Sequence, residues 1–238
     1  MAKALVGTSG WSYGSWRPKF YPERMKPREF LPYYATKFKT IEINYTFNHL
    51  PTDKNVAAWT AATTDDFVFG LKASRLITHR AQLREPATTL PPFFERARLL
   101  GPRLGPILFQ TPPWLKRDDE RLAMFLASLP RDSRCVLELR HTSWYVPEVY
   151  ELLSSVNVSL VHAEGEKNPS PLESLGRTAD FAYVRLRRRE GYSRKRVLTW
   201  ARRLRDVLAS GKDVYAYFRH DDDGANALAA MRLRDALA

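Results

Sequence analysis

Residues 106–140 read PILFQTPPWLKRDDERLAMFLASLPRDSRCVLELR, and this stretch holds the unit from which the fold is predicted. Two short apolar runs, at 106–110 and 135–140, flank a segment whose apolar residues have helical spacing at 118–129 and which ends at Pro130. A strand, a helix and a second strand in this order are typical of a parallel crossover unit. The stretch therefore predicts a sheet of parallel strands covered by helices.

The same alternation extends along the whole chain. Six further apolar runs predict strands at 4–9, 40–44, 67–73, 159–164, 181–187 and 214–220, and helical patterns fall between them at 27–38, 53–63, 92–100, 147–155, 194–210 and 225–237. Eight strands alternating with helices in 238 residues predict a compact (β/α)8 TIM barrel, with residues 1–238 as a single domain. A doubly wound open sheet is the alternative, but GTSGWSYG at 7–14 lacks the G-x-G-x-x-G spacing, so no nucleotide cofactor is expected.

Composition restricts the class of protein further. The chain has no run of eighteen apolar residues and no apolar segment after its first residues, so we expect a cytoplasmic protein with no membrane partner. The single cysteine, Cys135, lies in an apolar run and is expected to be a buried thiol. The net charge is +12, and residues 175–238 hold 15 Lys/Arg against 8 Asp/Glu. On the predicted helix at 194–210 the arginines share one face, which is the usual pattern of a solvated helix surface; attraction of an anionic partner is the alternative.

Polar residues interrupt the predicted strands close to their carboxyl ends. They share one face of each strand, because alternate residues point the same way: Glu42 with Asn44, Glu138 with Arg140, His162 with Glu164, and Arg185 with Arg187, while Lys72 and Gln110 end the third and fourth strands. Barrel active sites lie at the carboxyl ends of the strands, so these groups are expected to converge at one mouth. The alternative is an internal salt-bridge network that only fills the barrel.

Several motifs then match a known family in order and spacing. The stretches GTSGWSY, TIEINYTF, LKASRLITH, GPILFQTPP, ELRHTSW, DFAYVRL and VYAYF resemble those of the YecE-like proteins, the domain of unknown function 72 family. The resemblance implies a compact TIM barrel and no particular activity. Many relatives have an Asn pair where this chain has Arg219 and His220, and His-Gly where it has Arg187 and Arg188. These departures favour a more anionic ligand.

The strand-end pattern predicts an enzyme that uses acid/base chemistry on a small polar or anionic substrate. The predicted catalytic residues are Glu42, Lys72, His79 and Glu138, with His79 chosen on the family motif. The predicted substrate-binding residues are Thr8, Trp11, Tyr13, Asn44, Gln110, Arg140, Trp144, Arg185 and Arg219. Of these, Trp11 and Tyr13 are expected to form walls of the pocket.

Three alternatives remain open from the sequence. A divalent metal could assist the chemistry, with ligands drawn from Glu42, Glu138, His141, His162, Glu164 and Asp221, although no local ligand spacing supports one. The basic last third and the aromatic loop also fit a protein that binds or processes nucleic acid, whose affinity would collapse with added salt. A barrel that binds a small ligand without catalysis would need the same pocket.

Overall fold

The computed structural model describes residues 2–165 and 170–238. The strands in these residues are β1 Ala4–Thr8, β2 Thr40–Ile43, β3 Val68–Lys72, β4 Leu104–Gln110, β5 Cys135–Glu138, β6 Ser159–Leu160, β7 His162–Glu164, β8 Phe181–Leu186 and β9 Asp213–Phe218. The α-helices are α1 Phe30–Lys37, α2 Asp53–Ala61, α3 Pro86–Ala97, α4 Asp119–Ala127, α5 Pro147–Ser155, α6 Arg194–Ala209 and α7 Ala225–Leu237. Strands and helices alternate as the periodicity predicted.

The strands pair in parallel in two sheets, with orders β1-β9-β8-β7 and β2-β3-β4-β5-β6. The sheets meet at two places. An isolated parallel bridge joins Ser9, after β1, to Glu42 in β2, and a single residue, Val161, separates β6 from β7. The pairing confirms an α/β fold of parallel sheets and helices, whereas closure of both sheets into one barrel stays a prediction.

Most elements lie within a few residues of their predicted positions, and α3 is the clearest exception. It begins at Pro86 rather than at residue 92, and Pro91 and Pro92 lie inside it. Proline usually interrupts a helix, and the sequence pattern therefore predicted a later start. The helix nevertheless buries Leu90 and Phe93, and this burial outweighs the loss of two backbone donors.

Two separate apolar cores fill the molecule. The larger lies between the sheets and the helices and contains outward-facing strand residues such as Ile41 and Leu137. The smaller contains inward-facing residues of both sheets, including Leu108 and Val136 from one, and Tyr183 from the other. The inner faces of the two sheets therefore pack against each other, and the polar strand ends lie above this inner core.

No helix in the described part of the chain is long and apolar enough to cross a membrane. The expected cytoplasmic location stays a prediction.

Candidate functional site

Arg185 is the centre of the polar groups at the carboxyl ends of the strands. It points inward from β8 and is 1% exposed. Its Nη1 donates to Oε2 of Glu138 at 2.6 Å, and its Nη2 donates to Oε1 of Glu42 at 2.8 Å. One guanidinium thus joins a carboxylate of β2 to a carboxylate of β5. Charge-assisted bonds of this length are the strong class of hydrogen bond.

Neutral side chains extend this arrangement on both sides. The Ser9 hydroxyl donates to Glu42 Oε1 at 2.6 Å, and the Tyr183 hydroxyl donates to Glu42 Oε2 at 2.7 Å. Gln110 Nε2 donates to Glu138 Oε1 at 2.7 Å, while Gln110 Oε1 accepts from Lys72 Nζ at 2.8 Å. We call this set the carboxylate network: Ser9, Glu42, Lys72, Gln110, Glu138, Tyr183 and Arg185.

The carboxylates of the network are ionised at neutral pH. Burial by itself would raise the pKa of Glu42, but Arg185 and the hydroxyls of Ser9 and Tyr183 lower it to about 2. The pKa of Glu138 is also lowered, because Arg185 and Arg187 outweigh the effect of burial. Both side chains are paired and almost fully buried. This geometry favours a positioning role for Glu42 and Glu138 over the proton transfer that the sequence pattern suggested.

Lys72 is the titratable group of the network that remains partly exposed. Its pKa is lowered to about 8, chiefly by burial and by the field of Arg185, with the two carboxylates acting in the opposite direction. The ammonium lies 4.0 Å from the centroid of the Phe47 ring. A lysine with this pKa carries its proton at neutral pH and loses it readily in mildly alkaline solution.

His79 lies in a π-helical turn, Leu76–Arg80, that follows β3. Its Nδ1 is 2.9 Å from Oγ1 of Thr78, and its ring meets Phe47 edge-on at 5.0 Å. Burial lowers the pKa of His79, and the charges of Lys72 and Arg140 lower it further, so the imidazole is neutral at neutral pH. The turn continues into Gln82, Leu83 and Glu85, which have φ values of 55°, 66° and 53°. Backbone strain and π-turns of this kind concentrate at functional sites.

Several cationic side chains lie at the mouth around these groups. Arg140 is half-buried, with its Nε 4.0 Å from Glu138 Oε1. Arg187 is half-buried after β8, and its field lowers the pKa of both Lys72 and His220. Among the described residues, Lys72, Arg140, Arg185 and Arg187 thus lie together with the carboxylates of Glu42 and Glu138 at this end of the strands.

Arg219 follows β9 at the same end of the strands. Its backbone N–H donates to the Leu186 carbonyl at 2.8 Å, and the side chain is half-buried. Its charge adds to that of Arg187 in lowering the pKa of His220, after burial, which is the larger cause. Arg219 thus lies at the same end of the strands as the carboxylate network, and its role in binding stays a prediction.

Trp11, Tyr13 and Asn44 line a cavity of about 270 Å³ beside the mouth. The Tyr13 hydroxyl donates to the Ser9 carbonyl at 3.0 Å, and its ring stacks on His220 at 4.8 Å. The predicted aromatic walls therefore border a real cavity.

Two predicted binding residues lie elsewhere. Thr8 faces the helix layer, where its hydroxyl donates to the Gly10 carbonyl at 2.7 Å and lies 3.0 Å from the Tyr34 hydroxyl, because strand alternation turns Ser9 inward in its place. Trp144 is 0% exposed, and its Nε1 donates to the Leu115 carbonyl at 2.8 Å. Trp144 is a core residue, so a role for it in ligand contact is wrong.

The sixth predicted strand also differs from expectation. Side chains alternate regularly through the break at Val161: Val161 and Ala163 belong to the inner core, whereas Leu160 belongs to the larger outer core. His162 and Glu164 therefore face α6, where His162 packs against Trp200 and Glu164 accepts from Arg196 at 2.6 Å. The sequence pattern had assigned these two polar residues to the inner face.

The proposed metal ligands are not brought together. Glu42 and Glu138 bind Arg185, and Asp221 accepts from the backbone amides of Gly224 and Asn226 at the start of α7. Among the residues described, no group of three or more His, Cys, Asp or Glu could hold a metal ion. The donor set therefore does not fit the divalent metal considered from the sequence.

The structure adds residues that the sequence prediction did not assign to the site. Tyr183 and Ser9 bind Glu42, and Phe47 covers both Lys72 and His79. Strand alternation could have revealed Tyr183, which shares a face with Arg185 two residues later. Nothing in the local sequence marks Phe47, since its role depends on the loop that follows β2.

The fold and the site together define an α/β protein of parallel strands with a positively charged polar site at the strand carboxyl ends. The family model described as "Protein of unknown function DUF72" matches residues 5–238, so the chain belongs to the DUF72 family, as the motifs predicted. Among curated proteins it is similar to the UPF0759 protein YunF of Bacillus subtilis, 22% identical over 92% of this chain and 89% of the relative. It is also similar to the UPF0759 protein YecE of Escherichia coli, 35% identical over 47% of this chain and 42% of the relative.

Solved structures of the same family share the fold. A DUF72 family protein of Thermotoga maritima is 26% identical, with a TM-score of 0.86 over 99% of both chains. A second, from Enterococcus faecalis, is 18% identical, with a TM-score of 0.80 over 100% of this chain and 98% of the other.

Proposed function

We propose that the protein is a single-domain (β/α)8-barrel enzyme that moves protons on a small anionic substrate at the mouth above the carboxylate network. The observation that carries this proposal is that Lys72 and His79 share one neighbour at the strand ends: the Lys72 ammonium lies 4.0 Å from the centroid of the Phe47 ring, and the His79 ring meets that ring edge-on at 5.0 Å. Their pKa values are shifted so that, at neutral pH, the amine holds a proton while the imidazole can accept one.

Two features of the strand arrangement support a barrel. Both sheets contribute to one inner core, as the side chains inside a closed barrel do. The Ser9–Glu42 bridge and the one-residue gap at Val161 bring the two sheets together at both of their edges. On this reading, β6 and β7 are one interrupted strand, and the eight strands close.

The chemistry follows from the charges. His79 would take a proton from the substrate, and Lys72 would donate one or stabilise the oxyanion that forms. Proton removal beside a carbonyl or carboxylate group is the reaction class that such a pair serves. Glu42 and Glu138 would hold Arg185, and Glu138 would fix the Lys72 ammonium through Gln110. Arg140, Arg187 and Arg219 would bind the anionic group of the substrate.

Deuterium exchange tests this proposal without knowledge of the full reaction. Mixtures of 2-oxo acids, 2-hydroxy acids and sugar phosphates are incubated with the protein in D2O. The replacement of carbon-bound hydrogen by deuterium is followed by NMR. We expect exchange in the wild type, and loss of exchange in Lys72→Met and in His79→Asn. Arg202→Met, which alters an exposed residue of α6, is the matched control.

The other functional classes give different results. Ligand-induced stabilisation without exchange would support a non-catalytic binding protein and contradict the enzyme. Binding of oligonucleotides that falls steeply with added salt, again without exchange, would support nucleic acid as the partner.

A further inference from the structure

The cavity beside the mouth differs from the mouth in that no charged side chain lines it among the residues that the structure describes. We call it the ring cavity; it is lined by Gly10, Trp11, Ser12, Tyr13, Ile43, Asn44, Tyr45, Asn55 and Trp59. Aromatic rings and amides thus border a space next to a cluster of cations. A ligand that fills both regions needs a neutral flat part and an anionic part.

The aromatic walls have the geometry of a ring-binding corner. The Trp11 and Trp59 rings lie 6.3 Å apart at an interplanar angle of 88°. A flat group that stacks on one of these rings meets the other edge-on, and aromatic pairs favour both arrangements. Tyr45 adds a ring that is 48% exposed and that packs on His49 at 5.0 Å. An exposed ring beside an aromatic-lined cavity can contact a bound ligand.

Two amides supply a polar edge to the same space. Asn55 uses its Oδ1 to accept from the backbone N–H and the hydroxyl of Thr52, at 3.2 and 2.8 Å. Among the described residues, its Nδ2 group makes no hydrogen bond, and neither does the side chain of Asn44. Amide groups that have no hydrogen-bond partner in the protein can form hydrogen bonds with the donors and acceptors on the edge of a nitrogen heterocycle.

Tyr13 and Gly10 join the ring cavity to the mouth. The Gly10 N–H donates to the Glu42 carbonyl at 2.9 Å, which holds the cavity wall against β2. The Tyr13 hydroxyl lies within the fields of Glu42 and Arg187, which act on its pKa in opposite directions, while burial is the main cause that raises it to about 12. A ring in the cavity would therefore direct a substituent past Tyr13 toward the cations.

The volume limits the size of the ring. Sites that enclose whole ligands usually measure about 300–1,000 Å³. At about 270 Å³, the ring cavity holds one ring system, and the rest of the ligand must lie in the mouth.

We infer that the ring cavity is the subsite for a neutral nitrogen heterocycle whose attached phosphate or carboxylate occupies the mouth. The inference rests on the proposed function for its anionic half, and it names the class of substrate: small heterocyclic anions.

Calorimetric titration with a series of probes tests this assignment. The probes are inorganic phosphate, phenyl phosphate, adenosine 5′-monophosphate, uridine 5′-monophosphate and adenosine. We expect phenyl phosphate to bind about tenfold tighter than inorganic phosphate, since stacking of one ring contributes a preference of at least this size. At least one nucleotide should bind tighter still, and Asn44→Ala should remove that additional gain.

Variants separate the ring cavity from the mouth. Tyr45→Ala and Trp11→Ala should lower the preference for phenyl phosphate over inorganic phosphate severalfold while leaving phosphate affinity unchanged, and Trp11→Phe should restore most of it. Leu99→Ala is the matched control, because Leu99 has a similar exposure of 42% but precedes β4 at the opposite ends of the strands. It should change neither affinity.

The outcomes distinguish failure of the ring subsite from failure of the proposed function. If inorganic phosphate binds and phenyl phosphate binds no tighter, the ring subsite is overturned and the anionic mouth is left intact. Binding of adenosine as tight as that of its monophosphate would overturn the anionic mouth. If phenyl phosphate binds tighter than inorganic phosphate but no nucleotide binds tighter still, the assignment of a heterocyclic ligand is overturned. A simple aromatic acid or phosphate would then be favoured as the ligand.

Discussion

Replacing Arg185 by Met should destabilise the protein in a way that depends strongly on pH. The substitution keeps much of the apolar volume of the side chain but removes the cation between Glu42 and Glu138, which are 0% and 1% exposed. Each carboxylate keeps hydrogen bonds to neutral groups, from Ser9 and Tyr183 or from Gln110. Glu42 loses the cation that balances its charge, whereas Glu138 keeps Arg140 at 4.0 Å.

Two independent estimates give the size of the expected loss in the free energy of unfolding. Removing one partner of a buried ion pair costs about 3–5 kcal/mol. The pKa of Glu42 falls from 4.5 to about 2 in the folded protein, and a shift of that size corresponds to about 3 kcal/mol. We therefore expect Arg185→Met to lower the free energy of unfolding by about 3–5 kcal/mol at pH 7.

The sign of the pH dependence follows from the direction of the shift. Because the folded pKa of Glu42 is lowered, its stabilisation is complete above pH 4.5 and is lost as the pH falls toward about 2. In the variant, burial acts without Arg185 and raises the carboxyl pKa values, so stability is greatest when they are protonated. The difference between wild type and variant should shrink by about 2 kcal/mol between pH 7 and pH 3.

Urea unfolding followed by circular dichroism at both pH values measures this difference. Arg202→Met controls for the loss of an arginine on the exposed face of α6 and should change stability by less than about 0.5 kcal/mol. A loss below about 1 kcal/mol for Arg185→Met at pH 7, or an equal loss at both pH values, would refute the assignment of Arg185 as the counter-ion of both carboxylates.

Three smaller perturbations test other parts of the structure. Gly7→Ala should cost about 1–3 kcal/mol in chemical denaturation, because a Cβ at this position would lie 2.3 Å from the Thr40 carbonyl oxygen; an unchanged midpoint would contradict the close strand approach. Cys135 should not react with a thiol reagent at pH 8 until urea is added, since burial raises its pKa to about 12, and rapid labelling of the native protein would contradict its burial. Gln110→Leu should cost about 1–3 kcal/mol in thermal unfolding, because Glu138 and Lys72 each lose a hydrogen bond, and a neutral effect would show that the link between them is unimportant.

Local sequence determined where most strands lie along the chain and which of them end in polar residues. Apolar runs and helical spacing are properties of a few adjacent residues, so β4, α4 and β5 could be located from residues 106–140 alone. Strand alternation then placed Glu42, Glu138 and Arg185 on inner faces, because successive side chains of a strand point to opposite sides. The motifs that indicated the DUF72 family are equally local.

Only the tertiary structure decided how these groups meet. The ion pair of Arg185 with Glu42 joins residues 143 positions apart, and no periodicity selects that partner. The packing of His162 against α6 and the burial of Trp144 depend on how the strands, helices and loops pack together. The lowered pKa of Lys72 depends on burial and on the fields of distant charges, so it arises only when the strands stand side by side.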